Sequence, residues 1–149
     1  NKVKENLMDR EMERAKLLLA EGKYTCVVCG EGKTFTATER GVRPLLAWLN
    51  GGAGLAGTAA ADRVVGKAAA FLYVLLGVGA VYAPLMSEPA RETLLAGGIE
   101  AVADEIVPAI RNRTGTGFCP MESAVWEISD PQEAKAALER KNSEMAAKN

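Results

Sequence analysis

Histidine is absent from this chain of 149 residues. No imidazole is therefore available as a general base or a metal ligand. Cysteine is scarce: Cys26, Cys29 and Cys119, an odd number, with no stretch that reads as a signal peptide. That pattern predicts reduced thiols and a cytoplasmic location. An excess of either charge is also missing, with 18 basic against 19 acidic residues. No basic-aromatic stripe appears, so nothing favours a nucleic-acid or membrane partner. One uncharged run, Ala68 to Ser87, is long enough to span a bilayer, but Gly77, Gly79 and Pro84 interrupt it. A buried helix followed by a buried strand accounts for it better. Internal repeats and domain linkers are lacking too, which predicts a single domain over 1–149, with a core of about 23–128 between terminal helices.

The hydrophobic pattern is that of a globular chain with alternating elements. Met8, Met12, Ala15 and Leu19 recur at helical spacing, and the helix they predict stops near Gly22. Tyr24–Val28 and Lys33–Ala37 read as strands about a Gly30-Glu31-Gly32 turn. Val42–Leu49 reads as a short helix, and Asn50–Gly57 as a glycine-rich loop. A central helix is expected over Asp62–Leu76, with Asp62 as its first acid. Its apolar surface is broad enough to pack on both sides. After it come a strand at Ala80–Leu85, a helix at Ser87–Ala96, a strand at Ile99–Ala103 and a helical piece at Asp104–Ile110. Pro120 opens another helix, and Asp130-Pro131 starts a terminal one. The order implies an α/β fold in three layers, α-β-α, with a mixed sheet of about four to five strands and helices on its faces.

Arg111 to Glu122 holds the densest chemistry: two arginines, a Gly-Thr-Gly turn, then Cys119 directly before Pro120. A thiol at a helix start feels the positive end of the dipole, which favours thiolate. The same turn, with its N–H groups and guanidinium groups, suits an anion. Two other motifs fail. Gly66-Lys67 is not a phosphate-binding loop, because Ala61 stands where it needs glycine and Ala68 where it needs Ser or Thr. Cys26-Val27-Val28-Cys29 has zinc-knuckle spacing, but in a strand the two thiols point to opposite faces and further ligands are wanting. We expect small buried thiols there, no metal site and no cofactor.

Ser87-Glu88-Pro89-Ala90-Arg91-Glu92-Thr93 resembles the helix start of zinc-dependent cytidine and tRNA-adenosine deaminases, where Glu-Pro-Cys-x-x-Cys binds the metal. Ala90 and Thr93 stand at the two cysteine positions, and Gly66-Lys67-Ala68-Ala69 stands where a His-Ala-Glu motif falls. A fuller resemblance runs from about Lys23 to Glu122. It rests on Lys-Tyr-Thr-Cys, Glu-Arg-Gly-Val-Arg-Pro-Leu-Leu, Ala-Asp-Arg-Val-Val-Gly-Lys-Ala-Ala-Ala, Ser-Glu-Pro-Ala and Gly-Thr-Gly-Phe-Cys-Pro-Met-Glu. These blocks are similar, in order, to the domain of unknown function 1893 family. That resemblance implies a cytidine-deaminase-like fold without the zinc motifs and carries no established reaction. It marks Asp62, Lys67, Glu88, Cys119 and Glu122 as recurring positions.

Three functions follow as expectations. The first is a pocket for a small anionic or nucleotide-like ligand, formed by Asp62, Lys67, Glu88, Arg113, Thr114, Gly115, Thr116, Gly117 and Glu122. In it, two helix N-termini with unpaired N–H groups would attract the anion. The second is an enzyme with Cys119 as nucleophile, assisted by Lys67 or Glu122. The third is an interaction protein whose terminal helices build a homo-oligomer.

Overall fold

A computed structural model describes residues 2–112 and 114–147. The first helix, α1 (Lys2–Ala20), leads to β1 (Cys26–Gly30) and β2 (Lys33–Ala37), which pair antiparallel. Glu31 and Gly32, at φ 51° and 74°, make the turn between them. Two left-handed residues give the twist that a tight hairpin needs. Next come α2 (Arg43–Asn50), β3 (Ala59–Asp62), β4 (Val64–Val65), α3 (Lys67–Leu76), β5 (Ala80–Ser87), α4 (Glu88–Ala96), β6 (Glu100–Val107), α5 (Pro120–Val125) and α6 (Pro131–Ala147). β1 joins β3 antiparallel, whereas β3, β4 and β6 all run parallel to β5. β6 pairs with β5 along its length, so β3 and β4 share the opposite edge of β5, one at its start and one at its end.

Helices cover both faces of this mixed sheet. On one face α1 buries Ala15 and Leu19 against Val27, Cys29, Ala61 and Tyr82. On the other, α3 lies at the centre, packed by α2, α4, α5 and α6. Ala68, Ala69, Ala70, Phe71, Leu72, Tyr73 and Leu76 of α3 are all buried. That is the burial expected of a helix apolar on most of its surface. Cys26 and Cys29 fall in the cores on opposite faces, as strand alternation requires. Among the described residues no helix is long and apolar enough to cross a membrane.

Two expected elements are corrected. The central helix begins at Lys67 rather than at Asp62, because residues 59–62 and 64–65 are strands. Ala59, Ala60 and Ala61 lie between β1 and β5 with no exposure, where small side chains let both helical layers approach. Asp62 therefore ends a strand and is not a helix-start acid. The piece from Asp104 to Ile110 is not helical either, since β6 continues to Val107 beside β5. Tyr82 donates from its hydroxyl to Asp104 Oδ2 at 2.5 Å, which ties β6 to β5 on the α1 side.

One long-range contact sets the start of α3. Gly66, in extended conformation at φ −102° and ψ −178°, offers no side chain to cap the helix. The Glu122 carboxylate of α5 does so instead: Oε1 accepts the Lys67 N–H at 2.7 Å and Oε2 the Ala68 N–H at 2.8 Å. These are two of the four donors a helix leaves unpaired at its start. A β-carbon on Gly66 would stand 2.4 Å from Glu122 Oε1, so only glycine admits the carboxylate. At pH 8, Gly66→Ala should lower stability by about 1–3 kcal/mol through overpacking. Glu122→Gln should lower it by about 1–3 kcal/mol, because one buried N–H loses its acceptor. Both strike one contact, so in urea denaturation the double variant should lose less than the two losses added. Strict additivity would show that the two residues act apart.

Candidate functional site

A cavity of about 370 Å³ opens where β3 and β4 end and β1 begins, between the start of α3 and the Arg111–Glu122 segment. In open α/β sheets the carboxyl ends of parallel strands are the usual place for a ligand. Asp62, Gly66, Ala68, Cys119 and Glu122 line its inner wall, and Arg40, Arg63 and Arg111 also border it. A groove of about 520 Å³ adjoins it and shares Arg40, Arg111, Cys119 and Met121. Arg63 is committed, donating from Nε to the Tyr24 carbonyl at 2.8 Å and from Nη2 to the Leu19 carbonyl at 3.3 Å. Arg40 and Arg111 are exposed, and neither has a side-chain hydrogen bond or ion pair among the described residues.

Asp62 is the carboxyl group this cavity holds in an unusual state. It is half-buried at the end of β3. Burial raises its pKa from the ordinary carboxylate range to about 7, although the hydrogen bond from the Tyr73 hydroxyl opposes the shift. Tyr73 comes from α3 and is fully buried; its hydroxyl donates to Asp62 Oδ2 at 2.6 Å. The same hydroxyl oxygen lies 3.0 Å from Cys26 Sγ. Burial, and then the Asp62 charge, push the Cys26 thiol well above its usual range. Cys26 is thus a protonated partner in the wall, not a nucleophile. Glu122 is also pushed upward by burial, against the two N–H groups and the Lys67 charge that favour its ionised form.

The expected site residues divide. Asp62, Cys119 and Glu122 meet in the cavity. Lys67 does not line it: its ammonium donates to the Trp126 carbonyl at 2.7 Å and lies 5.6 Å from the Phe71 ring centroid. Glu88 also lies outside, paired with Arg91 at 3.3 Å on the first turn of α4. Thr114, Gly115, Thr116 and Gly117 form a turn that Asn112 closes on itself. Asn112 Oδ1 accepts the Thr116 N–H at 3.0 Å, and its backbone carbonyl accepts the Gly115 N–H at 3.1 Å. Those two N–H groups are spent within the turn, and of its four residues only Thr114 borders the outer groove. Arg113 lies outside the described residues. The two helix starts expected to offer unpaired N–H groups are corrected as well. Glu122 occupies two donors of α3, and Ser87 Oγ accepts the Ala90 N–H of α4 at 3.1 Å.

Local sequence left three parts of the site unmarked. Arg40 reads as an ordinary loop cation, although Arg40-Gly41-Val42 stands directly before a helix start. Tyr73 had a signal, being the one hydroxyl on an otherwise apolar helix, which a buried tyrosine needs to satisfy. Gly66 had none, because what it accommodates lies 56 residues away by its numbering and that of Glu122.

Fold and cavity together define a three-layer α/β protein with a pocket of mixed apolar and charged lining beside the carboxyl ends of β3 and β4. Residues 14–141 match the family described as Domain of unknown function (DUF1893), and the chain belongs to that family. It is similar to the crystal structure of a DUF1893 family protein, TM1506 from Thermotoga maritima, with a TM-score of 0.78 and 26% identity. The match covers 87% of this chain and 89% of that one. No curated protein matches the chain.

The Asp62 environment makes stability depend on pH. Unfolded, its carboxyl returns to the ordinary range, so the folded state holds the proton from there up to about 7. Stability from this group is complete below that range and lost as pH rises through about 7. Glu122, also shifted upward, acts in the same direction. Melting temperature should therefore fall from about pH 4 to about pH 8, and Asp62→Asn should flatten part of that fall. A wild-type minus variant difference that stays constant with pH would sink the assignment.

Proposed function

We propose that the cavity binds a small anionic ligand of nucleotide size. The supporting observation is Arg40 and Arg111, two guanidinium groups at the mouth of a cavity of about 370 Å³, without protein partners among the described residues. Pockets for small ligands run from about 300 to 1,000 Å³ and fix orientation with a few placed polar groups. Planar guanidinium groups suit phosphate or carboxylate oxygens, which they grip with two parallel bonds. Asp62 adds a polar group at the inner wall, and Cys119 a half-buried thiol. A likeness to cytidine deaminases belongs to this proposal. At the helix start where those enzymes place metal ligands, this chain carries Ala90 and Thr93, and Glu122 closes the start of α3.

Binding ranks ahead of catalysis by Cys119 for a geometric reason. Lys67 bonds the Trp126 carbonyl, and both oxygens of Glu122 hold backbone donors, so neither is disposed as the assisting base. In the homo-oligomer alternative the terminal helices are the contact, yet α6 buries Ala134 and Leu138 within this chain, against α5 and α3, and α1 buries Ala15 and Leu19 against the sheet.

A thermal-shift screen of nucleotides, nucleosides and phosphorylated metabolites tests the proposal. A ligand at a hundredfold excess over its dissociation constant should add about 2.7 kcal/mol. Arg111→Ala should reduce that gain while leaving the unliganded melting temperature nearly unchanged, since the side chain is exposed. Iodoacetamide should modify Cys119 before the buried Cys26 and Cys29, and a bound ligand should slow it. A screen without any stabilising compound would count against the pocket.

A further inference from the structure

The contacts of Asp62 say more about the ligand than the size of the cavity does. Its carboxyl receives the Tyr73 hydroxyl on Oδ2, while the N–H of the next residue, Arg63, is given to the Thr25 carbonyl. Tyr73 spends its proton on Asp62, so the Cys26 thiol supplies the hydrogen in the 3.0 Å contact behind it. The whole chain Cys26–Tyr73–Asp62 therefore points its hydrogens toward the carboxyl group. An arrangement of donors stabilises the ionised form and leaves the carboxyl to present acceptor oxygens to the cavity. Tyr73 is fully buried in α3, so the carboxyl is held rather than free to turn.

A carboxylate held in one plane is best matched by two adjacent N–H donors in the same plane, through paired parallel bonds. The mouth of the cavity carries the opposite preference, with Arg40 and Arg111 set to receive an oxyanion. We infer that the ligand carries an anionic group at one end and, at the other, a pair of adjacent N–H donors of the amidine, guanidine or 2-amino-lactam kind, taken by Asp62. The inference rests on the anion-binding proposal and adds the ligand class to it.

Other titratable groups face Asp62 from each neighbouring element: Cys26 from β1, Tyr73 from α3, and Cys119 and Glu122 from the Arg111–Glu122 side. Arg63 is its own neighbour, and Arg40 and Arg111 stand at the rim. Glu122 does not compete for the donor pair, because it is buried with each oxygen turned to a backbone N–H of α3. Only ionised Asp62 accepts both N–H groups. With its pKa near 7, affinity should rise up to about tenfold per pH unit on approach to that value and level off above it.

Three probes on the full chain separate the two ends. Guanosine monophosphate offers a ring N–H beside a 2-amino group. Inosine monophosphate keeps the ring N–H and the phosphate but lacks the amino group, and guanosine lacks the phosphate. In calorimetric titrations at pH 8, guanosine monophosphate should bind more tightly than inosine monophosphate by about tenfold or more, the worth of one bond to a charged acceptor. Guanosine should bind more weakly than its monophosphate. Asp62→Asn should erase the preference for the 2-amino group, and a melting curve on the same sample reports that the variant is folded. Arg111→Ala should weaken both nucleotides by the same factor. Equal affinity for the two nucleotides, or a preference that survives Asp62→Asn, overturns the ligand class while the anion pocket stands. If neither nucleotide binds, the ligand class also falls; a stabilising hit elsewhere in the metabolite screen then leaves the pocket intact.

Discussion

The carboxylate of Glu122, closed on the first two N–H groups of α3, is the contact on which the site depends. It joins a helix at the centre of the fold to a segment that enters more than fifty residues later. A helix start in the interior without a cap would strand donors at a cost of several kcal/mol together. Local sequence supplies no cap, because Gly66 has no side chain to give. The absence of that side chain lets a distant carboxylate approach. The contact in turn fixes where α5 sits, and with it Met121 and Cys119, which form one wall of the cavity. Architecture and site share one electrostatic cause.

Around that clamp the charges are sorted by depth. Two carboxyl groups lie inside, Glu122 satisfied by two backbone donors and Asp62 bonded by the Tyr73 hydroxyl. Guanidinium groups stand outside, where hydration costs them little. Burial works against both acids and raises both pKa values. The difference lies in what remains available. Glu122 has both oxygens engaged between two helices and acts structurally. Asp62 is half-exposed to the cavity, and the Tyr73 hydroxyl holds it as an acceptor. Two acids of unequal burial thus have separate roles, set by which of them still faces the cavity.

Much of the fold was legible because its signals are local. The hairpin turn, Ser87 before Glu88-Pro89, Gly77 after α3 and Asp130 before Pro131 each act within one turn of chain. Gly77 ends α3 in the left-handed region at φ 80°. The helical start expected at Asp62 was not, because an alanine run has strong helix propensity and no local mark of a central strand. Neighbouring β1 and β5 overrode propensity there. The same competition extended β6 through Asp104 to Val107: β5 offered a parallel partner along its length, and a ladder of seven paired positions outweighs a local preference. In the site, Asp62, Cys119 and Glu122 were visible as residue types in unusual settings. Lys67 and Glu88 carried the same apparent promise, and the fold turned both side chains to other partners.

Sequence by itself determined the class of fold, the alternation of elements, the burial of Cys26 and Cys29 on opposite faces, and membership in the DUF1893 family. Such features follow from periodicity, turn chemistry and ordered motif blocks, which survive without knowing what touches what. Tertiary structure alone decided which helix starts were already satisfied, which cations were spent, and which acid faced the cavity. Each of those depends on a donor meeting an acceptor from a distant part of the chain. A buried hydrogen bond has a short range and a strict direction, so sequence can name its candidates but only packing selects the pair.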